Sequence, residues 1–325
     1  MARNSLKYEL NQHCLEGAEL SDTTIRNYKA YNAHFRDFCV QSGINTWKKL
    51  EAGKDSVLNE YAAYLKDKGY SSTTIHSYLS APCRALGVRM DDVTKDRRCT
   101  SRGSRSSGRS SARSDQECKD QRYAAAYEFS RAVGIRKSEY LKLTGSDLVR
   151  DQHDQICVRV KSGKGGKEQL QRVLPQYEET VLRAFEGKKP DEKIFSPRQF
   201  SKNIDYHGNR AKLAQEAYQY YLDQIRTDPE ARDKIRGECI DRMKGSLISL
   251  HADGKITRSS AVAKLEKFFD QIADNSPYKL RGDNYDLATS KGKPVTYDRT
   301  ALFAVSVFHL SHWRLDVTVT NYMLK

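Results

Sequence analysis

SDTTIRNYKAYNAHFRDFCVQSG, residues 21–43, sets the architecture of the first third of the chain. Ser21 and Asp22 are N-cap residue types, whose side-chain oxygens accept from the free N–H groups of a first helical turn. Ile25, Tyr28, Tyr31, Phe35 and Phe38 then recur at spacings of three and four, which is one face of a helix. Residues 56–69, SVLNEYAAYLKDKG, repeat the pattern with Leu58, Tyr61, Ala62 and Leu65, and Gly69 suits a left-handed C-cap. Residues 71–87, SSTTIHSYLSAPCRALG, start again on a Ser/Thr cap and stop at Gly87. Short helices with defined starts and stops predict a compact helical module over residues 20–90. The likeness of SDTTIRNY to SSTTIHSY reflects shared capping chemistry rather than a repeat.

With 325 residues the chain has room for two domains and a substantial core. Hydrophobic content of 38% against 30% charged residues describes a large solvated surface. No run approaches the roughly 18 apolar residues of a membrane span. The opening residues MARNSLKYELNQHC hold no apolar signal core, so a cytoplasmic protein is expected. Cys14, Cys39, Cys83, Cys99, Cys118, Cys157 and Cys239 are scattered and never form a CxxC pair. That pattern suits a reducing compartment and argues against a disulfide framework or a zinc site. Fifty-six Lys and Arg against forty-two acids give a net charge of +14, which points to a polyanionic partner. Charge alone does not separate DNA from RNA or an acidic membrane surface.

The composition breaks at residues 95–114, KDRRCTSRGSRSSGRSSARS, with seven serines, six arginines and hardly an apolar residue. Such a stretch cannot offset its ordering entropy by burial, so it reads as a flexible linker. Its Arg97, Arg98, Arg102, Arg105 and Arg109 would neutralise phosphates if the flanking domains closed around a duplex. Beyond it, YAAAYEFSRAVG (123–134) predicts a helix ended by Gly134, and IRKSEYLKLTGSDL (135–148) a second one from Ser138 to Thr144-Gly145. QICVRV (155–160), a Gly-Lys turn SGKGGK (162–167) and EQLQRVLP (168–175) form a hairpin signal closed by Pro175. From 176 onward the pattern is helical, apart from a Gly- and Asp-rich excursion at 278–299. The chain closes on HLSHWRLDVTVTNYMLK (309–325). A core explains its Leu310, Val317 and Val319, but not the His, Trp, Arg and Tyr set among them.

In chain order these separated motifs resemble the tyrosine recombinases, the phage-type integrases of bacterial mobile elements. AVGIRKSEYLKL (132–143) resembles that family's first arginine box, which implies Arg136 as the first catalytic arginine. VKSGKGGKEQ resembles its catalytic-lysine turn and implies Lys164; DYHGNRAKLAQEAY (205–218) resembles its His-x-x-Arg box and implies His207 and Arg210. The closing stretch resembles the box in which a histidine precedes the nucleophilic tyrosine, here His312 and Tyr322. The resemblance implies a mainly α fold with a small β-hairpin: a helical SAM-like core-binding domain (1–94), a basic linker (95–117) and a catalytic domain (118–325) with a helical insertion at about 225–300.

The implied activity is site-specific strand exchange on double-stranded DNA through a 3′-phosphotyrosine, by a homotetramer on DNA assisted by accessory DNA-bending proteins. It needs neither metal nor ATP, and the implied setting is the bacterial nucleoid. Arg136 and Arg210 would grip the phosphate, Lys164 would protonate the departing 5′ oxygen, His207 would assist the tyrosine and His312 would donate to a phosphate oxygen. Two departures stand out. The gap from His207 to His312 is long, and Arg281 in PYKLRGDN competes with Arg210 as second arginine. Ser311 also stands where glycine usually separates leucine from histidine, which a negative φ would accommodate. A catalytically inactive, architectural DNA-binding protein and a type IB topoisomerase-like relaxing enzyme are the alternatives.

Overall fold

The computed structural model describes residues 5–17, 20–97, 121–163, 168–200 and 204–325. The chain divides into two compact units, Met1–Ser106 and Ser107–Lys325.

The first unit holds α1 (Leu6–Leu15), α2 (Asp22–Gln41), α3 (Trp47–Ala52), α4 (Lys54–Asp67) and α5 (Ser72–Ala85). Ser5, Ser21, Thr46 and Ser71 each accept from the backbone N–H three residues on, so four of these helices start on a hydroxyl cap. Gly69 and Gly87 take positive φ where α4 and α5 end. Phe35, Leu58, Tyr61, Leu65 and Leu79 meet in the core, joined by Leu10 from α1. Buried Asn32 fastens α2 to α1, donating from Nδ2 to the Leu10 carbonyl at 3.1 Å. Helices α1 and α3 add to the three read from the sequence.

The second unit opens with α6 (Gln121–Ala132) and the single turn α7 (Lys137–Tyr140). An antiparallel sheet β1 (Leu148–Arg150), β2 (Ile156–Val160) and β3 (Gln169–Arg172) follows, with Val158 facing Leu148 on one side and Gln171 on the other. Helices α8 (Glu178–Phe185), α9 (Tyr206–Thr227), α10 (Ala231–Ala252) and α11 (Arg258–Ala273) come next. β4 (Tyr278–Lys279) and β5 (Thr296–Tyr297) pair around α12 (Asp283–Ser290). The chain finishes with α13 (Arg299–Ala304), a π-helical turn Val305–His309, α14 (Leu315–Thr318) and a second π-helical turn Val319–Met323. The fold is mainly α with small antiparallel sheets.

Two buried clusters make this unit. Phe129, Tyr140, Val158, Phe185 and Phe195 pack α6 and α8 against the three-stranded sheet. Ala214, Tyr221, Cys239, Phe303, Phe308 and Leu324 pack α9 and α10 around α13 and the closing residues.

Three local expectations need correction. The helix expected from Ser138 to Thr144 is only the single turn of α7. Asp147 Oδ2 accepts from both the backbone N–H (2.9 Å) and the hydroxyl (3.0 Å) of Thr144, a local cap that competes with helix continuation. Strand β1 escaped notice because three residues carry no readable alternation. The excursion at 278–299 is ordered as a two-stranded ribbon around α12, its strands too short for a period-2 signal.

Candidate active site

Three segments converge on Tyr322. The first is the turn between α6 and α7. There Arg136 is the N-cap of α7, and Glu139 reaches back to it: Glu139 Oε2 accepts from the Arg136 backbone N–H at 2.7 Å and Oε1 from its guanidinium at 2.8 Å. Glu139 is buried, so the Arg136 side chain is held at its base while its head stays partly open. Gly134, two residues earlier, has the His309 carbonyl oxygen 2.1 Å from where a Cβ would stand. Only glycine lets the Arg136 turn approach the segment leading to His312 so closely.

The second segment is the first turn of α9. Asp205 caps it by accepting from the Gly208 N–H at 2.8 Å. His207 and Arg210, three apart, project from one side of that turn. The third is the chain end, where Lys325 Nζ pairs with Asp205 at 3.2 Å and Gln215 Nε2 donates to the Tyr322 carbonyl at 2.7 Å. Tyr322 lies in the π-helical turn, a helix form often found at functional sites.

Around the Tyr322 ring, the Arg210 guanidinium carbon lies 5.6 Å from the centroid. The His312 ring stacks at 5.7 Å with an interplanar angle of 23°, and the His207 ring lies at 5.7 Å and 59°. Arg210 is 2% exposed and donates from Nη2 to the Leu310 carbonyl at 2.8 Å. Its Nε and Nη1, and His312 Nε2, are buried without a hydrogen-bond partner among the described residues. Burial pushes the Arg210 pKa down, and Arg136 adds to that through its like charge. For His312, burial first and then the charges of Arg210 and Arg136 pull the pKa down to about 3. The imidazole is therefore neutral at pH 7. A buried guanidinium with spare donors and a neutral histidine thus place fixed positive charge and unused donors against the Tyr322 ring.

Of the residues proposed from the sequence, Arg136, His207, Arg210, His312 and Tyr322 are thus brought together. Arg281 is exposed and lines a separate open groove with Tyr278, Asn284 and Arg299. Arg97 is exposed on the first unit, whereas Lys164, Arg98, Arg102, Arg105 and Arg109 lie outside the described residues. Trp313 packs edge-on against Phe268 of α11 at 5.9 Å, and Arg314 pairs with Asp316 at 2.5 Å. Ser311 does not have negative φ. It sits at +49°, and Trp313 at +58°, so His312 is flanked by two left-handed residues. The Ser311 hydroxyl offsets part of that strain by accepting from Gln171 Nε2 at 2.8 Å. Glu139 was missed in the sequence, although its position three residues after Arg136 is the spacing of a capping box.

Residues 6–86 match the family model of the phage integrase SAM-like domain. The matched residues span helices α1–α5 of the first unit. Among solved structures, the crystal structure of XerA recombinase is similar at 18% identity over 65% of this chain and 84% of that chain, with a TM-score of 0.24. No curated protein matches the chain.

Proposed function

We propose that the protein is a site-specific DNA recombinase that cuts and rejoins strands through Tyr322. The observation that carries this reading is the set around that ring: a buried Arg210 with unspent donors, a neutral His312 stacked on the tyrosine, and His207 beside it. The charge balance also suits a phosphodiester. Glu139 pairs with Arg136, while buried Arg210 keeps two guanidinium nitrogens without a partner among the described residues, which leaves positive charge to meet a phosphate.

In this reading Arg210 and Arg136 hold the non-bridging oxygens, where charge grows in the transition state. The Ser306 hydroxyl lies 3.4 Å from His312 Nδ1; donating there, it leaves His312 Nε2–H to point at a phosphate oxygen. His207 accepts the Tyr322 proton as Oη attacks phosphorus. The bond to the 5′ oxygen breaks, and Lys164 supplies that oxygen's proton. A 5′-hydroxyl of another strand then reverses the sequence, releasing the tyrosine. Residues 1–94 and 118–325 serve as core-binding and catalytic domains around the basic linker, and four protomers assemble on two duplexes. Among the described residues no helix is long and apolar enough to cross a membrane. The proposed setting is the bacterial cytoplasm, on a mobile element's DNA.

Two substrates test this reading. Recombination between paired target sites, with no relaxation of a supercoiled plasmid lacking them, is the expected result. Relaxation of any plasmid would instead assign a topoisomerase. Tight binding with neither reaction would assign an architectural protein.

A further inference from the structure

A second buried polar cluster lies away from Tyr322 and takes no part in the chemistry above. Arg172 of β3 is 5% exposed; its Nε meets Asp151 Oδ2 at 2.7 Å and its Nη1 meets Glu238 Oε2 of α10 at 2.5 Å. Arg242, one helical turn beyond Glu238, reaches the same Asp151 oxygen with Nη2 at 2.7 Å and donates from Nη1 to the Leu170 carbonyl of β3 at 2.9 Å. The Arg172 guanidinium lies 3.8 Å above the Phe308 ring, in the π-helical turn that leads to His312. Two arginines and two carboxylates thus join α10, β3, the β1–β2 turn and the Phe308 segment.

Buried ion pairs are weak sources of stability, and their best-attested use is to fix registry. Here the register that is fixed points at the active site. Arg172 leaves one face of β3 towards α10, while Gln171, on the other face, donates to Ser311. Ser311 and Trp313 hold the left-handed turn that presents His312. The far end of α10 is anchored in turn, because Arg232 pairs with Asp298 at 2.8 Å and Ile235 and Cys239 are buried in the core.

We infer that Arg242 and Glu238 are positioning residues for strand cleavage: they lock β3, and β3 through Gln171 sets the Ser311–Trp313 turn that places His312. The inference rests on the recombinase reading and gives the tract between α9 and α13 a task within it.

The test is single-turnover cleavage of a nicked target duplex by preformed complexes of wild type, Arg242→Met, Arg242→Lys and Glu238→Gln. Arg242→Met should lose about 10–100-fold in the cleavage rate, the scale of a 1 Å misplacement, while DNA affinity stays within about threefold. Arg242→Lys, which keeps one arm of the bridge, should fall between. Combining Arg242→Met with Ser311→Ala should give less than the product of the two effects, because both act through one linkage. Amide hydrogen exchange should quicken at residues 169–172 and 306–313 and stay unchanged in α9. Wild-type cleavage by Arg242→Met, a rate loss matched by lost DNA affinity, or multiplicative effects would overturn the inference. Should wild type itself form no adduct, the recombinase reading fails separately. Hydrogen exchange still decides the structural claim, and unchanged exchange in β3 would refute it.

Discussion

Gly134→Ala probes how closely the two halves of the candidate site approach. The added Cβ would lie 2.1 Å from the His309 carbonyl oxygen, where ordinary contact begins at 3.4 Å, so the overlap is about 1.3 Å. The neighbour is backbone within a buried turn, not the end of a flexible side chain, so it cannot swing away. Relief requires the 305–313 segment to move off the Arg136 turn by about an ångström. Overpacking of this kind costs about 1–3 kcal/mol. The lower unfolded-state entropy of alanine returns about 0.4–1 kcal/mol of it. A net loss of about 1.3 kcal/mol should lower the melting temperature of a unit this size by about 3–5 °C. Catalysis should suffer more: separating Arg136 from His312 by about 1 Å is expected to cut single-turnover cleavage about 100-fold. A variant melting within 1 °C of wild type and cleaving at its rate would show that the close approach does not exist.

Further outcomes follow from other residues. His309 is fully buried, donates to or accepts from Tyr221 at 3.1 Å, and has its pKa pulled down to about 3 by burial and by Arg172, as His312 has by burial and Arg210. Since both folded values lie below the unfolded value near 6.5, their contribution is complete above that pH and is lost as pH falls towards 3. Urea titrations should find the second unit less stable at pH 5 than at pH 7 by about 1–2 kcal/mol per histidine; no difference would contradict their neutral burial. At Ser311, glycine should be nearly neutral, since relief of positive φ offsets the lost Gln171 bond, alanine should cost about 1 kcal/mol and valine more. Thermal melts giving the reverse order would refute the left-handed turn. Arg210→Lys keeps the charge but loses the planar fork, and should lower cleavage about 100-fold or more with folding intact. Replacing Arg97, Arg98, Arg102, Arg105 and Arg109 together should flatten the slope of log affinity against log salt by up to about 4–5 if each meets a phosphate; an unchanged slope would remove the linker from the DNA contact.

What was legible in the sequence follows from signal length. Helices α2, α4 and α5 announce themselves through a three-four apolar period, and α2 and α5 also begin on Ser caps. α1 was hidden because Leu6, Leu10 and Cys14 are diluted by polar residues, and β1, β4 and β5 because two or three residues show no alternation. In the site, the resemblance of separated motifs to the tyrosine recombinases is what implied Arg136, His207, Arg210, His312 and Tyr322. Their supports were not visible: Glu139 acts through a cap, Gly134 through a backbone approach, and Gln171 through a bond to Ser311 across 140 residues. Nor does a single sequence reveal φ: a negative value would have accommodated Ser311 without strain, and it lies at a positive one.

Covalent trapping tests the central proposal most directly. The protein is incubated with nicked duplexes carrying candidate target sites, so that the cleaved fragment diffuses away, and denaturing gels are examined for a protein–DNA adduct. The expected result is an adduct that maps by peptide sequencing to a 3′-phosphotyrosine at Tyr322 and is absent in Tyr322→Phe. An adduct that persists in Tyr322→Phe, or none at all on a site that the protein binds tightly, would contradict it.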